Sequence, residues 1–79
     1  MKVTTTPNVN AALRADPVAE VVIEQLRKDA RGGYLHLHRS SQRGPFAAEY
    51  HAPDGTRYDS TSTDLVSAMW DVLRPVAAA

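Results

Sequence analysis

The fold is decided by residues 34–58, which have the sequence YLHLHRSSQRGPFAAEYHAPDGTRY. Apolar and polar side chains alternate over residues 34–39, and residues 46–51 form a second short run that starts with an aromatic residue. Alternation of this kind is the period of a strand with one buried face. The Pro-Asp-Gly tripeptide at 53–55 favours a tight turn, since proline presets φ and glycine accepts a positive φ. A third strand over residues 56–60 then completes a three-stranded antiparallel meander.

The two hairpins can be registered independently. Centring the first on the bond between residues 42 and 43 places Leu35 opposite Tyr50 and Leu37 opposite Ala48. A three-residue loop in the second places Tyr50 opposite Tyr58. Both registers predict the same inner face, and a slip of one residue would turn that whole face to solvent. The predicted inner face comprises Leu35, Leu37, Phe46, Ala48, Tyr50 and Tyr58. The opposite face comprises Tyr34, His36, His38, Ala47, Glu49, His51, Arg57 and Asp59.

A first helix is predicted to begin at Asp16-Pro17, because aspartate accepts hydrogen bonds from first-turn amides and proline suits the first helical position. Gly32-Gly33 is predicted to end it. Its apolar stripe is expected to be Val18, Val22 and Leu26, with Val21 beside them.

A second helix is predicted after the meander, with Thr61 or Ser62 as its cap and Asp64 in its first turn. Arg74-Pro75 is predicted to stop it. The predicted core face of this helix comprises Leu65, Met69, Trp70 and Leu73.

The predicted architecture is therefore α+β, with the order α-β-β-β-α and both helices packed on one face of the three-stranded antiparallel meander. Residues 1–16 are expected to be a flexible N-terminal arm with a short helical turn at 11–15, residues 17–75 the domain, and residues 76–79 a tail. With only two helices available, the face that carries all three histidines is left open.

Composition narrows the functional classes. A chain of 79 residues makes one domain with a single core, and buries roughly 60% of its unfolded surface. The sequence contains no cysteine, which excludes disulfides, thiolate zinc sites and cysteine nucleophiles. No apolar run approaches the ~20 residues that span a bilayer, and the first residues lack a signal-peptide hydrophobic region. We expect a cytoplasmic protein with no membrane partner and no cofactor.

The net charge of zero conceals an asymmetry. Residues 1–43 carry seven basic and four acidic side chains, whereas residues 44–79 carry two and five. A positive edge is predicted where the first helix meets the first hairpin, and phosphate or an acidic protein patch would be its natural partner. The alternative is charge compensation at the helix end together with solvated loop charges. The residues of this edge are Arg27, Lys28, Arg31, Arg39 and Arg43.

The open face offers two further chemistries. His36 and His38 lie two apart on one strand, with Glu49 across from His36, a geometry that suits a divalent metal. His36 or His51 is a candidate general base, because histidine titrates near neutrality. The simpler interpretation is a solvated strand face with cross-strand pairs, and we expect no bound metal.

The helix–strand–strand–strand–helix order over residues 17–75 resembles the double-stranded-RNA-binding domain. That resemblance implies the fold and an RNA-binding role. The family contacts RNA phosphates through a lysine-rich start of its second helix. The corresponding residues here are Thr63-Asp64-Leu65-Val66-Ser67, which contain no lysine.

The tyrosine-containing second strand followed by His51-Ala52-Pro53-Asp54-Gly55 is similar to HicA-type mRNA interferase toxins, which implies a ribonuclease. Those toxins carry a catalytic histidine in a Gly-Ser-His stretch just before that strand. This chain has Arg39-Ser40-Ser41-Gln42 in the region.

In format the chain resembles small, cysteine-free, phage-encoded inhibitors, including anti-CRISPR proteins that block an effector complex. The leading hypothesis is a non-catalytic binding module that docks on a larger protein or ribonucleoprotein. The alternatives are an RNA-binding or ribonuclease domain, and a homodimer formed through the open face instead of a monomer. The predicted partner-binding residues are Arg27, Lys28, Arg31, Tyr34, His36, His38, Arg39, Arg43, Glu49, His51 and Arg57.

Overall fold

The computed structural model describes residues 1–30 and 32–78 of the chain. Within that part, four strands form one mixed sheet in the order β1-β2-β3-β4, with β1 parallel to β2 and the other neighbours antiparallel. The elements are β1 (Lys2–Thr5), α1 (Pro7–Ala15), α2 (Pro17–Lys28), β2 (Tyr34–Arg39), β3 (Phe46–His51), β4 (Arg57–Ser62) and α3 (Leu65–Ala78). The predicted α+β class is confirmed. The prediction of three strands and two helices is wrong, because β1 and α1 precede the predicted elements.

Both predicted hairpin registers are confirmed. Leu35 lies opposite Tyr50, and Tyr50 lies opposite Tyr58. Five of the six predicted inner-face residues are buried, and Tyr58 is partly buried and packs against the same core. The buried residues of all three helices belong to this one cluster, so the helices cover the same face of the sheet. Buried helix residues in the cluster are Val9, Leu13, Ala19, Ile23, Leu26, Leu65, Ala68, Met69, Val72 and Leu73.

The N-terminal segment is not the flexible arm that the sequence predicted. β1 adds a parallel edge strand beside β2, and the Thr6 amide continues this connection by donating to the Leu37 carbonyl at 3.2 Å. Pro7 occupies the start of α1, where its missing N–H costs nothing. Val9 and Leu13, four residues apart, then turn one face of α1 into the core.

α2 begins as predicted, because Asp16 Oδ1 accepts hydrogen bonds from the amides of Val18 (3.1 Å) and Ala19 (3.2 Å). The helix ends at Lys28, earlier than predicted, and the two glycines follow with φ of +79° and +81°. The predicted core stripe is displaced by one residue. Val18 is 64% exposed, and the buried positions are instead Ala19, Ile23 and Leu26.

α3 also differs from its prediction. β4 continues to Ser62, so the cap passes to Asp64, whose Oδ2 accepts from the Ser67 amide at 2.9 Å. The helix continues through Pro75 and includes most of the predicted tail. Trp70 was expected in the core but is 45% exposed, because the buried stripe of α3 already turns the adjacent Met69 inward. Within the described part of the chain, no helix combines the length and the apolar character needed to cross a membrane.

Candidate docking face

Strand alternation places a continuous set of polar side chains on the face of the sheet opposite the helices. The registers align these residues across all four strands, because paired residues project to the same side. On β3 and β4 the burial pattern alternates from residue to residue, with the outward side chains the more accessible. We call this set the outer face. It comprises Lys2, Thr4, Tyr34, His36, His38, Ala47, Glu49, His51, Arg57, Asp59 and Thr61.

Glu49 lies at the centre of the charged part of the outer face. Its Oε1 accepts a hydrogen bond from Arg57 Nη2 at 3.1 Å and lies 3.9 Å from His38 Nε2. Its Oε2 lies 3.7 Å from His51 Nε2. Arg57 also donates through Nε to Asp59 Oδ1 at 3.2 Å. One carboxylate on β3 thus joins side chains from three strands into a single polar network.

A row of aromatic rings lies beside this network. The His36 and His38 rings stack with centroids 5.3 Å apart, and Tyr34 lies 6.4 Å from His36 and 4.9 Å from His51. Thr4 on β1 adds a contact that the sequence interpretation missed, since its Oγ1 lies 2.7 Å from His36 Nδ1. The neighbouring rings and this hydroxyl hold the histidines in defined positions.

The structure brings together six of the predicted site residues: Tyr34, His36, His38, Glu49, His51 and Arg57. In the described part of the chain, no group of three or more His, Asp or Glu side chains has an arrangement that could hold a metal ion. His36, a predicted member of the alternative metal site, has its Nδ1 engaged with Thr4.

The predicted positive edge is not formed as one surface. The Asp29 carbonyl accepts a hydrogen bond from the Met1 amino group, which places the end of α2 beside the start of β2. Arg39 ends the same strand, about 17 Å away at ~3.3 Å per residue. Arg27 is paired with Glu24 at 2.6 Å. The remaining members do not join them, since Lys28 and Arg43 are exposed at these opposite ends and Arg31 lies outside the described residues.

Arg39 is correctly assigned to β2 but projects to the inner side of the sheet. Its guanidinium lies 4.2 Å from the centroid of the Phe46 ring, and its Nε donates to the Gly44 carbonyl at 2.7 Å. Its own carbonyl accepts from Asn8 at 3.2 Å. These contacts make Arg39 an organiser of the β2–β3 loop.

Sequence reasoning also missed an exposed apolar groove between α2 and α3, which involves Val21 and Trp70. The available signal was the spacing of Val18, Val21 and Val22, which adds a second apolar stripe to α2. Comparison of the chain with protein-family models, curated proteins and solved structures finds no match.

Proposed function

We propose that this protein is a non-catalytic binding module that docks through its outer face onto a larger protein or a ribonucleoprotein, as an inhibitor of the anti-CRISPR kind would. The observation that carries the proposal is the position of the helices. All three pack on the inner face, and this leaves a four-stranded surface whose charged side chains are between 28% and 58% exposed.

The composition of the outer face favours a protein surface as its partner. Tyrosine and arginine are enriched among the residues that dominate protein–protein binding. The lysine and arginine of this face are balanced by Glu49 and Asp59, and Arg57 contacts both carboxylates. Binding to nucleic-acid phosphates instead draws on unneutralised lysine and arginine.

The arrangement of Glu49 favours binding over catalysis. A general base must reach a substrate proton while its other contacts orient it. Here the carboxylate already accepts from Arg57 and lies within 4 Å of two histidines on an open sheet. Groups that satisfy one another in this way form a preorganised hydrogen-bonding surface.

One observation favours RNA as a second candidate. The row of four rings, Tyr34, His36, His38 and His51, lies along the two central strands. Single-stranded RNA is commonly bound on sheets whose aromatic side chains stack with bases. This is the remaining basis for the RNA-binding or ribonuclease alternative.

The proposal is tested by affinity capture from host lysate with the wild-type protein and a variant in which Tyr34→Ala and His38→Ala are combined. We expect a protein captured by the wild type to be lost with the outer-face variant. Arg14→Ala is the matched control, because Arg14 is exposed on α1 and distant from the outer face. Equal capture by all three proteins would contradict docking through this face.

A parallel assay with labelled single-stranded RNA separates the alternative. Under the proposal, the wild type neither cleaves the RNA nor binds it in preference to the protein partner. RNA cleavage that disappears in His36→Ala or His51→Ala would replace the binding module with a ribonuclease. Binding without cleavage that is lost with Tyr34→Ala would assign the ring row to RNA.

A further inference from the structure

The helix layer carries its own exposed apolar cluster, on the side of the protein opposite the outer face. Val18 is 64% exposed, Val21 is 61% exposed and Trp70 is 45% exposed. A small monomer rarely leaves such residues together on its surface unless they contact something. On α2 they follow the spacing 18, 21, 22 and 25, which is a helical stripe separate from the buried one.

These residues line two adjoining depressions along α2. One has an empty volume of about 590 Å³ and lies between α2 and α3, where Val22, Leu26 and Trp70 form its apolar wall. The other has an empty volume of about 620 Å³ and extends toward Pro17. Val21 and Gln25 line both, so the two depressions form one continuous groove.

Charge around the groove has one sign. Glu20, Glu24 and Asp29 are among the lining residues, whereas no basic residue is found in the described lining. Arg27 pairs with Glu24, but it lines the separate cleft between α1 and α2. A ligand with apolar side chains on one side and basic side chains on its flanks would complement this surface.

The length of the groove also indicates the shape of its ligand. α2 has 12 residues, which at 1.5 Å per residue corresponds to about 18 Å. This matches about three turns of a helix laid along it, with anchors at the spacing i, i+3, i+4 and i+7. Trp70 at the end of the apolar wall would be the central contact, since tryptophan is the residue type most enriched among dominant binding contacts.

We propose that this groove binds a basic amphipathic helix of a partner protein. The site is separate from the outer face and does not depend on the function proposed above. The two surfaces lie on opposite sides of the sheet, so one protein could engage two partners or two segments of one partner.

Trp70 provides a direct measurement, because it is the single tryptophan of the chain. The probe is a synthetic 14-residue peptide with leucine at i, i+3, i+4 and i+7 and lysine at its other positions. We expect a saturable blue shift of Trp70 emission as the ring leaves water. A peptide with glutamate in place of every lysine should give no shift, and the basic peptide should lose affinity as salt is added.

Two variants locate the binding. Val21→Glu places a charge in the groove at an exposed position and should weaken binding at least tenfold. Combining Glu20→Gln with Glu24→Gln should reduce the salt dependence of binding. Thr61→Glu, on the outer face, is the matched control and should bind the peptide like the wild type.

Three results would overturn the proposal: no shift with the basic peptide, an equal shift with the acidic peptide, or unchanged binding by Val21→Glu. A blue shift that grows with protein concentration in the absence of peptide, and that Val21→Glu abolishes, would assign the groove to a second copy of this chain instead. Loss of partner capture through the outer face would leave the peptide titration unchanged, so the two proposals fail independently.

Discussion

Gly33 lies directly against the side chain of Tyr50: a Cβ on Gly33 would stand 2.6 Å from the tyrosine Oη and 2.9 Å from its Cε1. The same hydroxyl donates to the Gly32 carbonyl at 3.3 Å, so the tyrosine closes the turn that leads into β2. Gly33→Ala should therefore lower the free energy of unfolding by about 2–5 kcal/mol, from a strained positive φ together with overpacking. Urea denaturation of the variant measures this.

Gly55 is the matched control for that substitution. It also has a positive φ, of +95°, but a Cβ there would meet no atom within 4 Å. Gly55→Ala should lower the free energy of unfolding by only about 1–2 kcal/mol, because it contributes backbone strain alone. Equal losses in the two variants would show that contact with Tyr50 does not determine the requirement for Gly33.

The second prediction concerns the N-terminal segment. Leu13 of α1 is 8% exposed and belongs to the core, so Leu13→Ala should lower the free energy of unfolding by about 2–5 kcal/mol. Arg14→Ala, at the adjacent exposed position, should change it by less than about 0.5 kcal/mol. Urea denaturation distinguishes this result from that of a flexible arm, in which both substitutions would be silent.

The sheet could be predicted from the sequence because two independent signals agreed. Alternation in β2 and the turn at residues 53–55 each specify a register, and both turn Tyr50 inward. β1 carries no comparable signal. It has four residues, and it pairs in parallel with a strand about thirty positions later, so no local turn announces it.

The helix faces were harder to predict because α2 is apolar on more than one side. Val18, Val21 and Ile23 all suit a buried stripe by type, and only packing shows that Ile23 is inside and the two valines outside. The same holds for Trp70 beside Met69 in α3. These errors coincide with the groove, since an interface needs apolar residues that the core of the isolated chain does not use.

The third prediction is a pH dependence. Hydrogen bonding from the Thr56 amide, 2.9 Å from Asp54 Oδ1, holds the pKa of the exposed Asp54 carboxyl below its ordinary value. A lowered pKa in the folded state means that the ionised form stabilises the β3–β4 turn above the ordinary aspartate range. That contribution is lost as the pH falls through the lowered value.

The pH dependence is measured by carboxyl NMR titration and by comparing Asp54→Ala with the wild type across pH. The wild type should be more stable near neutral pH, and the difference between the two proteins should shrink in acid. A titration midpoint at or above the ordinary aspartate value would contradict the assignment of this hydrogen bond.

The last prediction separates the outer face from the core. Glu49 is the centre of the polar network, yet its partner Arg57 is 56% exposed, and ion pairs in water contribute little to folding. Glu49→Gln should therefore change the free energy of unfolding by less than about 1 kcal/mol, and a double-mutant cycle with Arg57→Ala should give a coupling energy of similar size. The same variant should weaken partner capture, since it removes the charge that joins three strands of the docking surface. A loss of several kcal/mol in Glu49→Gln would instead mean that the network exists to hold the sheet together, and the proposed docking role would lose its support.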